Sequence, residues 1–232
     1  MPVSDQDEIA ASIRREARGD ALDGVIEEAL ERTRAGWQNR GYFKVEVTGD
    51  AKTLKTNAAD VHVALFVHVD EGVRYTLGAI TFKHNNAITN VEALRGLFPI
   101  NDGETFSREK IAEGLENLRK AYGEYGYINY TGVPATTFDD DKKLAFLEID
   151  VDEGKQFLIS SVNILGFDEP TKQKILSNMA IHTGDVYNAR LWELSLMRIP
   201  TLPDCECRPR FRLDEHTGNV ALTLDFRPCS TN

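Results

Sequence analysis

The chain has 232 residues, 41% of them hydrophobic and 28% charged, enough apolar material for a buried core and too polar a mixture for a membrane bundle. Its 27 Lys and Arg stand against 37 Asp and Glu, a net charge of −10 that opposes phosphate backbones and excludes nucleic acid as the expected partner. No stretch nears the ~20 uninterrupted apolar residues that span a bilayer, and Met1 to Ala11 lack the basic-then-apolar order of a secretory signal. The polar, acidic opening Met1-Pro2-Val3-Ser4-Asp5 reads as an artificial start, with the native N-terminus missing.

Two helices are expected first, over Asp5 to Arg18 and Ala21 to Asn39. Arg14, Arg15 and Arg18 make the local basic patch and read as a solvated helix face. A hairpin follows over Tyr42 to Val47 and Val61 to Asp70. In its second strand Val61, Val63, Leu65, Val67 and Val69 share one face, the pattern of a sheet covered on one side. Next come a strand over Val73 to Phe82, a short helix over Val91 to Leu97 capped by Thr89, and a break at Pro99-Ile100-Asn101-Asp102-Gly103. Ser107 is a good N-cap for a helix whose buried stripe is Ile111, Leu115, Leu118 and Tyr122, ended by Gly126. Strands over Tyr127 to Phe138 and Leu144 to Val151 then flank the turn Asp139-Asp140-Asp141-Lys142. The remainder repeats this order: a strand at Phe157 to Leu165, helices near Thr171 to Met179 and Ala189 to Arg198, and strands at Glu206 to Leu213 and Asn219 to Arg227.

The chain aligns with itself. Val69-Asp70-Glu71-Gly72 recurs as Val151-Asp152-Glu153-Gly154, and Tyr75, Ile80 and Phe82 fall on Phe157, Val162 and Ile164 at the same offset. With one residue deleted, Gly103, Phe106, Leu115 and Leu118 fall on Gly184, Tyr187, Leu196 and Ile199. Upstream, Ile26, Leu30, Trp37, Gly41 and Tyr42 fall on Ile111, Leu115, Tyr122, Gly126 and Tyr127. Three tandem units are therefore expected, 1–73, 74–154 and 155–232. The fold class is α+β, each unit a β-α-α-β-β arrangement with two helices on one face of a three-stranded sheet, the first lacking its opening strand.

Gly103-Glu104-Thr105-Phe106-Ser107 leading to Ile111, Leu115, Leu118 and Tyr122, then Gly126-Tyr127, then a hairpin ending in Val151-Asp152-Glu153-Gly154, resembles the polypeptide-transport-associated (POTRA) domain. The resemblance is strongest in 74–154, loses the Gly-Tyr element in 155–228, and in 1–73 lacks the first strand. It implies tandem periplasmic units ahead of a C-terminal Omp85-type β-barrel, most similar to the arrays of BamA and TamA assembly factors. It also implies partners: unfolded or nascent outer-membrane polypeptides, accessory lipoproteins or periplasmic proteins, and the chain's own barrel. The chain ends at Asn232 without the many alternating segments a barrel needs, so the expected role is a soluble polypeptide-binding arm tethered to the outer membrane. The alternative is a docking scaffold that handles no client.

The mechanism expected for such a unit is strand addition, in which an extended guest pairs with unpaired N–H and C=O groups of a sheet edge. The family's strand order puts the last strand in the middle and leaves the strand after the second helix at an edge. The resemblance thus places a client at Tyr127, Asn129, Tyr130 and Thr131, and at Tyr42, Lys44 and Glu46. Tyr42 and Tyr127 also admit a packing role under the helix end. Phe66, large and apolar on the face expected to be open, marks a client or inter-unit contact.

No catalytic chemistry, cofactor or metal is expected, since the chain has no nucleophile elbow, phosphate loop, His-Glu-x-x-His or paired cysteine motif. Val-Asp-Glu-Gly at both junctions reads as turn chemistry, because adjacent carboxylates on a strand end point apart. His62 and His68 are six residues apart on one strand, about 20 Å, too far for one metal. Cys205 and Cys207 share a face with Phe211 and Leu213 while Cys229 lies opposite. A bridge from Cys229 to either would need a bulge or bend near Pro209 or Pro228.

Overall fold

The computed structural model describes residues 22–56, 61–199 and 208–227. In chain order they form α1 (Leu22–Gln38), β1 (Glu46–Thr56), β2 (Val61–Asp70), β3 (Thr76–Lys83), α2 (Val91–Arg95), α3 (Arg108–Glu124), β4 (Thr131–Asp139), β5 (Leu144–Asp152), β6 (Leu158–Leu165), α4 (Glu169–Asn178), α5 (Ala189–Met197), β7 (Arg208–Asp214) and β8 (Asn219–Asp225). The helix expected over Asp5 to Arg18, with Arg14, Arg15 and Arg18, lies outside the described residues, as do Cys205, Cys207 and Cys229.

The strands make a two-stranded sheet, β1-β2, and two three-stranded sheets, β3-β5-β4 and β6-β8-β7. The last strand of each three-stranded set is central, as the resemblance implied. Alternation explains why: Ala145, Leu147, Ile149 and Val151 on β5, and Val220, Leu222 and Leu224 on β8, are all buried, and a central strand is where a full apolar face is covered. β6 runs parallel to β8, and β7 antiparallel to it. Leu222 and Leu224 share one core with Ile175 of α4 and Trp192 of α5.

Both Val-Asp-Glu-Gly segments are turns. The Gly72 amide donates to Asp70 Oδ1 at 3.2 Å and the Gly154 amide to Asp152 Oδ1 at 3.1 Å, with φ of 61° and 65° at the glycines. A carboxylate that accepts the amide two residues on fixes the local conformation as an Asx turn.

Several boundaries differ from expectation; β1 for one begins at Glu46 rather than Tyr42, which leaves Tyr42 and Lys44 before the strand and not on it. Asn90, not Thr89, caps α2: its side chain accepts from the Ala93 amide at 3.0 Å, because Asn90 is the residue directly before the first turn and among the strongest caps. β4 begins at Thr131 rather than Tyr127, since Tyr130 turns inward and stacks on Tyr122 of α3 at 4.3 Å. β1 extends to Thr56 although Thr48 to Lys52 show no apolar alternation; pairing with β2, Asp50 opposite Phe66, holds it extended. There an added Cβ on Gly49 would stand 2.7 Å from Leu30 Cδ2, so the glycine leaves room for that side chain of α1.

The helix layers of the second and third repeats solve one packing problem in two ways. Gly114 of α3 lies under Phe98, where an added Cβ would stand 2.0 Å from the ring. At the offset that lays Gly103 on Gly184, Gly114 becomes Ser195 and Pro99 becomes Ala180. Pro99 has no N–H to satisfy. Ala180 does, and its amide donates to Ser195 Oγ at 2.9 Å, while that hydroxyl donates to the Leu191 carbonyl at 2.8 Å. Gly114→Ala gains helix propensity yet is expected to destabilise the chain by about 1–3 kcal/mol, because Phe98 is buried and must shift. A urea midpoint at or above that of the parent chain would contradict this packing.

By contact density the chain divides into two compact units that do not follow the repeat boundaries. One comprises Met1–Thr81, Phe98–Gly114 and Ala135–Glu148; the other comprises Phe82–Leu97, Leu115–Pro134 and Ile149–Asn232. The middle repeat contributes to both.

Candidate functional site

In the first unit the residues after α1 are held by the start of the next repeat. Gly41, at φ 93°, offers its carbonyl to the Tyr75 amide at 2.8 Å, and Arg74 Nε donates to the Arg40 carbonyl at 2.9 Å. A Cβ on Gly41 would stand 2.8 Å from Tyr75 O and from Thr105 Cγ2, so no other residue fits. Lys44 Nζ reaches Asp140 Oδ1 at 2.7 Å and lies 4.8 Å from the Phe138 ring centroid. Tyr75 donates its hydroxyl to the same Asp140 oxygen at 2.5 Å. Hydrogen bonds from Lys44 and then Tyr75 hold the Asp140 carboxyl below the usual aspartate range. Phe43 packs edge-on to Phe106, and Asn39 Oδ1 accepts from the Glu109 amide at 2.9 Å.

The second unit repeats the device one repeat later. Gly126, at φ 87°, accepts the Phe157 amide at 2.9 Å, and Gln156 Nε2 donates to the Tyr125 carbonyl at 2.9 Å. Asn129, the counterpart of Lys44, donates to Glu215 Oε1 at 2.9 Å on the β7–β8 turn, where Asp140 has its counterpart on the β4–β5 turn. Asn188 Nδ2 closes the joint on the Glu124 carbonyl at 2.7 Å. A Cβ on Gly126 would stand 2.8 Å from Val186 Cγ1 and 3.1 Å from Tyr187 O.

This geometry sorts the residues named for a client. Tyr42 packs edge-on to Trp37 at 5.3 Å, Tyr127 edge-on to Tyr122 at 5.9 Å, and Tyr130 is buried, its hydroxyl pushed up to about 12 by desolvation. Lys44 and Asn129 are engaged at the junctions. Glu46, opposite Asp70 on β1, and Thr131, first on β4, are exposed; so is Phe66, 62% accessible on β2. The sequence marks Asp140 only as part of a hairpin turn and Tyr75 only as a repeat position, so their meeting with Lys44 is not among its expectations. The signal lay in the repeat: Lys44 and Asn129 occupy one position and Asp140 and Glu215 another, and both pairs meet.

The sheet edges are unequal. On β3 the Leu77 amide donates to the Glu104 carbonyl at 2.8 Å and the Leu77 carbonyl accepts from Gly103 at 2.6 Å, so the chain itself covers the first half of that edge. β6 is covered in the same way by Gly184 and Asp185, through Ile159. β4 and β7 pair only with β5 and β8, which leaves their outer edges open among the described residues. No described group of His, Cys, Asp and Glu is arranged to hold a metal, and no described helix is long and apolar enough to cross a membrane.

Gly126→Ala is expected to cost about 1–2 kcal/mol for its backbone conformation plus a further steric cost at Val186 and Tyr187. Gly103→Ala, at φ 85° with nothing within 4 Å of the added carbon, carries the conformational cost alone. Equal urea midpoints for the two variants would show that the Gly126 junction is not closed.

Residues 75–154 match the POTRA family model, described as a surface antigen variable number repeat. A Treponema pallidum protein named as an outer membrane protein assembly factor is 30% identical over 184 residues, covering 76% of this chain and 22% of its own length. Outer membrane protein assembly factor BamA of Buchnera aphidicola is 24% identical over 166 residues, covering 71% of this chain and 26% of its own length. The chain thus spans about a quarter of the curated relatives it matches. Among solved structures, Haemophilus influenzae BamA POTRA3-5 superposes with a TM-score of 0.64 at 21% identity, over 91% of this chain and 83% of that one. Haemophilus ducreyi BamA lacking POTRA domains 1-3 gives 0.55 at 14% identity, over 66% of this chain and 29% of that one. Residues 75–154 belong to the POTRA family, and the chain carries the fold of a tandem POTRA array, similar to those of outer-membrane assembly factors.

Proposed function

We propose that the chain is the non-catalytic periplasmic arm of an outer-membrane protein assembly machine, and that it holds unfolded outer-membrane polypeptides in extended form along the open edge of β4. The observation that carries this is the asymmetry of the middle sheet: β3 is half covered by its own chain, whereas the edge of β4 away from β5 has no partner strand among the described residues. Thr131, Val133, Ala135 and Thr137 are exposed along it, small or uncharged, so the edge selects for extended backbone and tolerates any side chain. Pro134 removes one donor from that strand, which limits the guest's register and blunts pairing between copies of the arm. The names of the relatives, and a chain that spans about a quarter of them, support an arm working ahead of a barrel. The three repeats as separate domains, 1–73, 74–154 and 155–232, belong to the same proposal.

Photo-reactive side chains at Thr131 and Val133 are expected to crosslink an unfolded outer-membrane barrel polypeptide, and one at exposed Glu113 on the helix layer is not. Equal crosslinking at all three positions would reject β4 as the binding edge.

A further inference from the structure

The hairpins of the middle and third repeats match at an offset of 75 residues. Asp139 and Asp214 each accept from the amide three residues on, Lys142 at 2.9 Å and Thr217 at 3.3 Å, and Lys143 and Gly218 both have positive φ, 56° and 68°. Buried Ala145, Leu147 and Ile149 fall on buried Val220, Leu222 and Leu224, and Pro134 falls on Pro209.

At that offset the outward positions change sign. On the middle hairpin they are Val133, Ala135 and Thr137 with Glu148, Asp150 and Asp152; on the third they are Arg208, Arg210 and Arg212 with Thr223, Asp225 and Arg227. The register settles the direction of the arginines. Pro209 and Phe211 stand opposite buried Leu224 and Leu222, so Arg208, Arg210 and Arg212, opposite Asp225, Thr223 and Ala221, project from the face away from α4 and α5. All three are exposed.

The fold does not require them, since Val, Ala and Thr serve at the same positions one repeat earlier. Like charges about 7 Å apart along one strand repel, and among the described residues Arg208 and Arg212 have no ion-pair partner. The face already binds one carboxylate. Asp225 receives two bonds from Arg227, at 2.8 and 2.7 Å, with Arg210 at 3.7 Å, and the Arg227 hydrogen bonds hold its carboxyl far below the usual range.

We infer that the outer face of the β6-β8-β7 sheet is a docking surface for an acidic polypeptide segment. Guanidinium forks match carboxylates in geometry as well as charge, and their spacing along β7 is that of alternate side chains on an extended chain. A uniformly anionic lipid surface fits less well, because its repulsion acts on the whole chain of net charge −10. This goes beyond edge pairing: selection here is by side-chain charge and stands whether or not β4 takes a client.

The test uses the full chain and a fluorescein-labelled peptide of alternating Thr and Asp, with alternating Thr and Asn as control, read by anisotropy. The acidic peptide is expected to bind and to weaken with added salt. Binding is expected to fall by roughly tenfold or more in the double variant Arg208→Gln, Arg212→Gln. Amide exchange of the unmodified chain is expected to slow across Arg208–Asp214 when the acidic peptide is present, which needs no variant to fold. Equal binding of the two peptides, or unchanged binding in the double variant, overturns the proposal. So does binding of phosphatidylglycerol vesicles without the peptide. Concentration-dependent self-association that the double variant abolishes, with no peptide bound, would assign the face to a second copy and equally overturn it.

Discussion

A single backbone hydrogen bond organises each junction of this chain: the carbonyl of a left-handed glycine at a helix end, Gly41 or Gly126, receives the amide that opens the next repeat, Tyr75 or Phe157. A buried carbonyl left without a donor is costly, and a side chain at either glycine would collide with the neighbouring repeat, so the joint is both required and exclusive. Everything nearby is arranged around it. The residue before each amide, Arg74 or Gln156, bonds the carbonyl just before the glycine, and the residue three beyond the glycine meets the next hairpin turn.

That constraint decides what the aromatic residues do. Tyr127 and Tyr130, one and four residues after Gly126, are drawn onto Tyr122, and Tyr42 is drawn onto Trp37. They stabilise the turn between helix and strand, and they delay the start of β4 to Thr131. The exposed edge then begins where packing ends. The proposed binding would draw on backbone groups of one strand and outward side chains of another, and the two diverge: the middle hairpin keeps a neutral edge, the third carries an arginine row on the same scaffold.

Much of this was legible in the residues. The three-fold offset, the helix stripe Ile111, Leu115, Leu118 and Tyr122, and the alternation on β5 follow from periodicity alone, because burial acts directly on it. The Val-Asp-Glu-Gly turns were readable for the same local reason. The extension of β1 was not, since its polar residues are held by pairing with β2 and carry no pattern of their own. Lys44 with Asp140 was hidden because the partners lie 96 residues apart and belong to different repeats. The arginine row Arg208, Arg210 and Arg212 was passed over in the sequence, because its alternate spacing becomes a one-sided patch only through the register of β7 against β8. The patch that stood out in the sequence, Arg14, Arg15 and Arg18, lies outside the described residues.

The proposed arm requires that the junctions stay closed while edges and outer faces meet partners. Amide hydrogen exchange of the full chain tests this at two positions, Tyr75 and Phe157. The account predicts that both amides are protected to a degree comparable with the sheet amides of Leu147 and Leu222, opening only with the structure around them. Exchange at the rate of an exposed loop would mean that the glycine carbonyls are not engaged in solution, and would contradict it.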